Sequence, residues 1–459
     1  MGTILNRYFL PHPPAAIPEV GKKTAEQLKT TIDGFLTAAK AIGDLSPDTI
    51  IIITPHGPCF NDFFYMPSQK RISGDFSAFG CKKLILGFDN DVELAEIIAD
   101  HTKSRGLSAG FVDDIIMKKR NIPYDIDHGV TVPLYFIAPY CKTYKVLPIS
   151  VPEMNEKDLY RFGILLREAI QKSNRNVIVI ATGDLSHKHG EEHGEIGKEF
   201  DKTFKKILLD EDVIGFLNFD RKLKENASQC SIDSIRVLLG TLDGFTFIPR
   251  ILSYEATTNI GYLSAELTCG KPTESIFVHY LDNRKEMLDK EAFPLKLVRY
   301  AIEEYLHGVK DPAIPQDTPD EFMDNCGAVF VSLYNNGLLR GCSGTVTPSC
   351  PELASEIMQS AIWAASKDPF ASPITSGEID DLSITVDIIH EPEEIINQNE
   401  LDPAKYGIIV SCKEKSAVML PNQPRIENIK DQIRAAREKA GIHPWHRLKI
   451  KRFTVTRYE

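Results

Sequence analysis

The sequence predicts an α/β domain, with a mostly parallel or mixed sheet flanked by helices, followed by an α+β domain. Through roughly the first 270 residues, short apolar runs alternate with helical patterns, as they do in βαβ units. Composition then shifts near Thr268–Pro272, and helices mix with antiparallel strands. A chain of 459 residues also exceeds one ordinary core. We therefore expect domains at residues 1–270 and 288–459, joined by a linker or strand.

The elements of the first domain follow from periodicity. Amphipathic spacing predicts the helices, and apolar, β-branched runs predict buried strands. The expected helices are Ala25–Ile42, Val92–Arg105 and Glu156–Ser173. The expected strands are Ile50–Thr54, Leu134–Ala138, Lys145–Val151, Val177–Thr182 and Tyr254–Thr268, the last closing the sheet.

The second domain is predicted around a hairpin. Strands Ala328–Tyr334 and Leu338–Cys342 are joined by Asn335-Asn336-Gly337, and Asn-Gly is typical of a type I′ turn. Other elements are expected on both sides of this hairpin. They are helices at Pro294–His307, Pro351–Ser366 and Ile429–Ala440 and strands at Leu382–Ile389 and Leu448–Thr456.

Composition excludes several classes of function. The formal net charge of −11, with scattered basic residues, argues against nucleic-acid binding. No apolar stretch approaches the roughly 20 residues of a membrane span, and the N-terminus lacks a signal-peptide pattern. The nine cysteines are dispersed without a CxxC pair, which is typical of reduced thiols. We expect a cytoplasmic protein.

Three histidines lie at or just past the ends of apolar runs. His12 and His56 follow two such runs, and His187 follows Val177–Thr182. Because ligands gather at the carboxyl ends of strands in open α/β sheets, we predict that His12 and His56 converge on one divalent metal. The alternative for each is a loop histidine bonded to backbone. His189 and His193 are expected in a flexible polar loop.

The third metal ligand stays open at this point. Cys230 begins an apolar helix, and Glu255 stands where a strand is expected to begin; either is a candidate. Acid–base work is predicted for His128, which precedes a glycine, and for His187, which Asp184 could orient from three residues away. A neutral imidazole is a suitable proton acceptor near neutral pH.

The motifs around these residues resemble the LigB superfamily, the catalytic subunits of class III extradiol dioxygenases, which includes the Memo proteins. They are PHPP, TPHGP, DHG and GDLSH, within residues 1–268. The resemblance implies that His12 and His56 hold Fe(II); zinc and copper are kept as alternative metals. It also implies that His187 is the acid–base residue and that His128 contacts an aromatic or phenolic substrate. Where the dioxygenases carry a glutamate ligand, Cys230 stands nearby, as in Memo proteins.

The second hairpin carries Arg340, Gly341, Cys342 and Gly344 in the motif LRGCSG. The motif resembles the RGC(I)G signature of the AMMECR family, with Ser343 in place of isoleucine, and the likeness covers residues 288–459. A thiol beside an arginine is a candidate nucleophile, because positive charge lowers a thiol pKa. The alternative is a hairpin that needs glycines for close backbone approach, with Cys342 buried.

Two functions are carried forward from these patterns. The first is a non-haem Fe(II) extradiol ring-cleavage dioxygenase fused to an AMMECR domain. The second is a Memo-like accessory protein that binds iron or copper and works with a radical SAM partner, without ring cleavage. A third alternative places the chemistry at Cys342. Partners are expected among small phenolic molecules and not among nucleic acids or membranes, and a homo-oligomer is left open.

Overall fold

A computed structural model of the chain describes residues 1–190, 194–257, 259–335, 338–368, 372–423 and 426–459. It divides into two compact units, Met1–Asn283 and Arg284–Glu459. The division lies inside a helix, Ile276–Asp289, where a linker or strand was expected. Among the described residues, no helix combines the length and apolarity needed to cross a membrane.

The first unit is built on a mixed sheet with helices on both faces. Its strands are β1 Thr3–Leu10, β2 Thr49–Thr54, β3 Phe63–Tyr65, β4 Arg71–Phe76, β5 Cys81–Asp89, β6 Ser108–Gly110, β7 Lys145–Ser150, β8 Asn176–Thr182, β9 Phe245–Glu255 and β10 Tyr262–Pro272. Its helices are α1 Pro18–Gly21, α2 Lys23–Gln27, α3 Lys29–Leu45, α4 Val92–Lys103, α5 Asp114–Lys119, α6 His128–Ile137, α7 Glu156–Lys172, α8 Gly194–Leu209, α9 Val213–Leu217, α10 Arg221–Asn226 and α11 Ile232–Gly240. Helix α12, Ile276–Asp289, begins in this unit and ends in the second.

The order of the main sheet places three strand ends side by side. Within the described residues the order is β6-β3-β7-β2-β8-β1-β10-β9. Strand β8 lies between β2 and β1 and runs parallel to both. Parallel neighbours end at the same edge of a sheet, so the loops that follow β1, β2 and β8 emerge together.

The two faces of this sheet bury separate cores. Along β2, Ile51 and Ile53 pack into a core that also contains residues of α4, α7 and α11. Ile50 and Ile52 face the opposite core, with α3 and α6. Both faces are buried, which explains why β2 is a continuous apolar run and not an alternating one.

Two predicted strands of the first unit are corrected. Leu134–Ala138 is not a strand, because Leu134 lies within helix α6. This helix is buried nearly all round, so its sequence lacks the polar face that reveals a helix. The expected single strand Tyr254–Thr268 is instead a hairpin of β9 and β10. The helix expected at Ala25–Ile42 is broken at Leu28, between α2 and α3.

The second unit contains two antiparallel sheets and packed helices. Its strands are β11 Ala328–Asn335, β12 Leu338–Gly344, β13 Leu382–Ile389, β14 Glu393–Glu394, β15 Gly407–Cys412, β16 Lys415–Met419, β17 Lys449–Phe453 and β18 Val455–Tyr458. Its helices are α13 Phe293–Leu306, α14 Asp320–Met323, α15 Leu353–Ser366 and α16 Ile429–Lys439. Within the described ranges the sheet orders are β12-β11-β13-β18 and β14-β17-β15-β16.

The α/β plus α+β fold class is confirmed. One strand of the second unit is corrected, because the expected strand Leu448–Thr456 is divided between β17 and β18, which belong to different sheets. The β11–β12 hairpin forms as expected. Its predicted turn at Asn336 and Gly337 lies outside the described residues.

Candidate metal centre

The candidate centre lies at the carboxyl edge of the main sheet. Strand register pairs Leu10 at the end of β1 with Thr182 at the end of β8. On the other side of β8, Ile53 of β2 pairs with Ala181. His12 and His56 each follow their strand by two residues, so both emerge beside the loop that begins at Gly183.

Three imidazoles meet at this edge. The Nε2 atoms of His12 and His56 are 3.0 Å apart. In the described part of the chain, ligand atoms of His12, His56 and His128 all lie within 4.8 Å of one another. The rings of His56 and His128 are stacked, with centroids 4.4 Å apart. The structure thus brings His128 into the group itself, where acid–base or substrate contact was expected.

His12 is held by the loop after β8. Its backbone N–H donates to Asp184 Oδ1 at 2.9 Å, and its Nε2 lies 3.7 Å from Asp184 Oδ2. Gly183 permits the chain at Ser231 to approach closely, because a Cβ at residue 183 would lie 2.5 Å from Ser231 Cα. Asp184 therefore positions His12, whereas it was expected to orient His187.

His128 is fixed by the start of helix α6. Asp127 caps this helix by accepting from the Gly129 N–H at 2.7 Å, and the same oxygen accepts from Thr54 Oγ1 at 2.7 Å. A Cβ at residue 129 would lie 2.4 Å from Thr54 Oγ1. Gly129 therefore allows the helix to begin against the end of β2, which brings His128 to His56.

The electrostatics keep these imidazoles neutral. Burial, followed by the charges of His56, His128 and His187, lowers the pKa of His12 well below its usual value. Burial and the neighbouring His56 lower the pKa of His128 to about 4. Burial also lowers the pKa of His56 and of His187. Neutral imidazoles present nitrogen lone pairs, as metal binding requires.

Cys230 lies against His12. Its Sγ is 3.5 Å from His12 Nε2 and accepts from the Asp184 N–H at 3.2 Å. Burial, with Asp184 nearby, raises the pKa of this thiol. Burial likewise raises the pKa of Asp184 to about 7, although the hydrogen bond from the His12 N–H opposes the shift. The inner side of the centre therefore holds a protonated thiol that a bound metal would deprotonate.

Glu255 is not brought into this group. Its carboxylate accepts from the Thr31 N–H at 2.5 Å, in the first turn of helix α3. It stands at the end of β9, whereas it was expected at the start of a strand. Between the two candidates for the third ligand, the structure places Cys230 beside His12 and gives Glu255 a helix-capping contact.

His187 is exposed, and its backbone is fixed. Its N–H donates to Ala227 O at 2.9 Å, and it is close enough to lower the pKa of His12. Buried Asp201 supports the same loop by accepting from the Ser186 N–H at 3.0 Å and from His189 Nε2 at 2.7 Å. His189 therefore lies in a loop, as expected, but its side chain is buried against Asp201.

Asp201 is a supporting residue that sequence reasoning missed. It lies within an amphipathic helix, 14 residues after His187, and nothing local marks it. His193, which was expected in the same polar loop as His189, lies outside the described residues.

These donors fit a divalent metal. Two metal–nitrogen bonds of about 2.1 Å at right angles place their nitrogens about 3 Å apart, which matches the Nε2 pair of His12 and His56. Imidazole and thiolate donors suit iron, copper or zinc. The centre is a candidate metal site, and the assignment of individual ligands stays a prediction.

Comparison with known proteins finds a family for each of the two units. Residues 6–264 match the family described as the catalytic LigB subunit of aromatic ring-opening dioxygenase. The chain belongs to the LigB family. Residues 295–458 match the AMMECR1 family, so one chain joins a LigB unit to an AMMECR1 unit.

Relatives of the chain include a full-length match and shorter ones. A protein of Clostridium acetobutylicum, CA_C1420, is 36% identical, with 98% of each chain covered. A protein of Thermotoga maritima is 39% identical over 34% of this chain and 92% of its own length. The crystal structure of the uncharacterized Pyrococcus horikoshii protein PH0010 is 31% identical, with a TM-score of 0.34, over 36% of this chain and 88% of its own.

In the AMMECR1 unit, the motif residues are engaged in structural contacts. The Arg340 guanidinium bonds to Glu378 at 2.8 Å and to the carbonyl oxygens of Ser372 and Pro373. It is thus bonded to other partners, which does not favour the alternative in which this arginine activates the thiol. Burial raises the pKa of Cys342, whereas the nucleophile hypothesis needs it lowered.

Close backbone approach explains the two glycines of this motif. A Cβ at Gly341 would lie 2.1 Å from Ala364 O, and one at Gly344 would lie 2.3 Å from Val329 O. Cys342 is half-buried between them, with its N–H donating to Asp368 and its Sγ 3.4 Å from Ser332 Oγ. These contacts favour the hairpin interpretation of the motif.

Proposed function

We propose that the LigB unit is an Fe(II)-dependent dioxygenase of the extradiol type, acting on a phenolic ring. The observation that carries this proposal is the 3.0 Å approach of the His12 and His56 Nε2 atoms, with two further neutral imidazoles around them. The inner side, at His12, is buried, while His56 and His187 are exposed. A substrate therefore has access from one side.

His12 and His56 would hold the metal, with the Cys230 thiolate as third ligand. A bound Fe(II) supplies the redox chemistry that allows O₂ to react with an electron-rich ring. The role of the protein is to hold the metal ligands and their neighbours in position. Asp184 fixes the His12 backbone, and Asp127 fixes the start of α6 that carries His128. A substrate with two adjacent oxygens would enter from the side where His56 and His187 are exposed.

His187 would accept a proton from a phenolic hydroxyl at one of its ring nitrogens. Its lowered pKa keeps the ring neutral and able to accept at neutral pH. Its backbone bond to Ala227 O limits its position, and Asp201 holds the preceding residue. His187 is thus a proton acceptor that need not be a metal ligand.

Metal analysis and oxygen uptake test this proposal. We expect full-length protein purified without oxygen to bind one Fe(II) and to consume O₂ with members of a catechol panel. His187→Ala should keep the iron and lose about 10²–10⁴-fold in turnover, as loss of a general base does. His307→Ala, at an exposed histidine in the second unit, is the matched control. Iron-loaded wild type that consumes no O₂ on any catechol would contradict the proposal.

A second candidate is a metal-binding accessory protein without ring cleavage. The observation that favours it is the Cys230 sulfur 3.5 Å from His12 Nε2, because thiolates favour softer ions such as Cu(I). Its partner would be a radical SAM protein, as the Memo and AMMECR resemblances imply. Competition between Cu(I) and Fe(II) in wild type and Cys230→Ser separates the candidates. A strong Cu(I) preference that Cys230→Ser removes, with no O₂ uptake, would favour this second function.

A further inference from the structure

A two-stranded hairpin stands apart from the main sheet and reaches the metal centre. Strands β4 and β5 pair with each other in their own sheet. Their connection, Ser77–Gly80, is a single short turn that carries Phe79. Phe79 is 42% exposed, although it is a large apolar side chain. The proposed reaction assigns this hairpin no role.

The hairpin is fastened to the chain just before His128. The Ile126 N–H donates to Ser73 O at 2.9 Å. A Cβ at Gly74 would lie 2.4 Å from Ile126 O, so only glycine permits this approach. The hairpin therefore keeps a fixed position relative to His128 and does not behave as an independent loop.

The turn itself is also well defined. The Ser77 N–H donates to Asp75 Oδ1 at 2.8 Å. Gly80 adopts a φ of +81°, where a residue with a side chain would be strained, and its N–H donates to Ser77 O at 3.0 Å. These bonds define the backbone on both sides of Phe79.

The Phe79 ring lies at the open side of the centre. Its centroid is 5.2 Å from that of His128, with the ring planes at 65°. His128 is in turn stacked on His56. An exposed aromatic ring held beside candidate metal ligands offers an apolar surface to whatever enters the site. A flat ring gains from such a surface, because aromatic pairs attract beyond simple burial of area.

We propose that Phe79 is a specificity-determining residue, which selects flat aromatic ligands over aliphatic chelators of the same metal. This inference rests on the proposed function, since it needs a ligand that chelates at the histidine centre. An aliphatic dicarboxylate such as oxalate offers two oxygens to a metal but no ring for Phe79 to contact. Phe79 on this hairpin thus distinguishes aromatic from aliphatic chelators, which the metal ligands alone do not do.

Binding measurements on the full-length chain, loaded with Fe(II) without oxygen, test this inference. The probes are 4-nitrocatechol, followed by its absorbance, and oxalate as its competitor. We expect Phe79→Ala to raise the Kd for 4-nitrocatechol about threefold to tenfold and to leave the oxalate Kd unchanged. Phe79→Tyr keeps the ring and should retain wild-type affinity. Ile85→Ala, an exposed apolar residue of the same hairpin, is the control and should change neither Kd.

The outcomes separate this inference from the proposed function. If wild type binds 4-nitrocatechol and Phe79→Ala binds it equally well, the role of Phe79 is overturned and the proposed function stands. An equal loss of oxalate affinity in Phe79→Ala would also overturn it, because it would indicate a disturbed metal site. If wild type takes up no metal, the proposed function falls, and this inference falls with it.

Discussion

Both units place reactive side chains next to glycines in the sequence, but these side chains make different kinds of contact in the two units. In the LigB unit, His12 and His56 face each other at 3.0 Å, and His12 Nδ1 has no partner among the described residues. In the AMMECR1 unit, the Arg340 guanidinium is bonded to Glu378 and to two carbonyl oxygens. The Nε2 atoms of the first group face each other, so a metal could bind between them, whereas the guanidinium of the second group is bonded to oxygens of the fold.

This difference separates a binding centre from a structural one. Two neutral imidazole nitrogens that face each other can both bind one ion, so the contact between His12 and His56 suits a metal. A buried polar group whose hydrogen bonds are all made within the fold gives no indication of a ligand. Motif likeness alone does not distinguish these cases, because both motifs carry a glycine next to a reactive residue.

The largest expected effect is loss of metal from the LigB unit. His12→Ala should lower metal affinity by more than about 100-fold, because even residues that only support a ligand account for about 10–100-fold. The measurement is metal content and a chelator competition on the full-length chain. His101→Ala is the control, since His101 is also buried but bonds to Glu168. If His12→Ala binds metal with wild-type stoichiometry, His12 is not a ligand, and the contrast between the two units is lost.

A smaller effect is expected at Asp184, which holds the His12 backbone. Asp184→Ala should lower metal affinity about 10–100-fold, because His12 loses its support. Asp184→Asn keeps an oxygen that can accept the same bond and should stay near wild type in the same competition assay. An equal loss in both variants would mean that the carboxylate acts through charge and not through position.

In the AMMECR1 unit, the expected effect of Arg340→Ala is on stability. Loss of its charge-assisted bonds should lower the free energy of unfolding by about 2 kcal/mol. The two tryptophans of the chain, Trp363 and Trp445, both lie in this unit, so their fluorescence reports its unfolding in the full-length protein. Arg434→Ala, whose ion pair with Asp431 is exposed, should cost about 0.5 kcal/mol or less. Equal losses would indicate that Arg340 has no special role.

The smallest effect concerns the Cys342 thiol. Burial raises its pKa, so little thiolate is present at neutral pH. We expect iodoacetamide to alkylate it about tenfold more slowly than the exposed Cys326, as measured by mass spectrometry of the folded chain. Faster alkylation of Cys342 would revive the nucleophile hypothesis and weaken the contrast.

Local patterns predicted the fold class and the place of the candidate centre. His12 and His56 follow strands whose apolar runs are plain in sequence, and parallel strands leave their ends at one edge. Strand Leu134–Ala138 was wrong because a helix buried on all sides carries no periodic signal. The sequence could not show where the Glu255 side chain binds, because its capping contact with Thr31 joins residues 224 positions apart. Phe79 was not predicted as a site residue, because only the structure shows that its exposed ring lies beside His128.

The residues of the centre are far apart along the chain, and this has a consequence for folding. His56 is 44 residues from His12, and Cys230 is 218 residues from it. An ion shared by all three would tie β1, β2 and the start of α11 into closed loops, which restrict the unfolded chain more as they lengthen. Metal loading would then act as a cross-link that chelation removes, and the LigB unit would have a larger free energy of unfolding with its ion than without it.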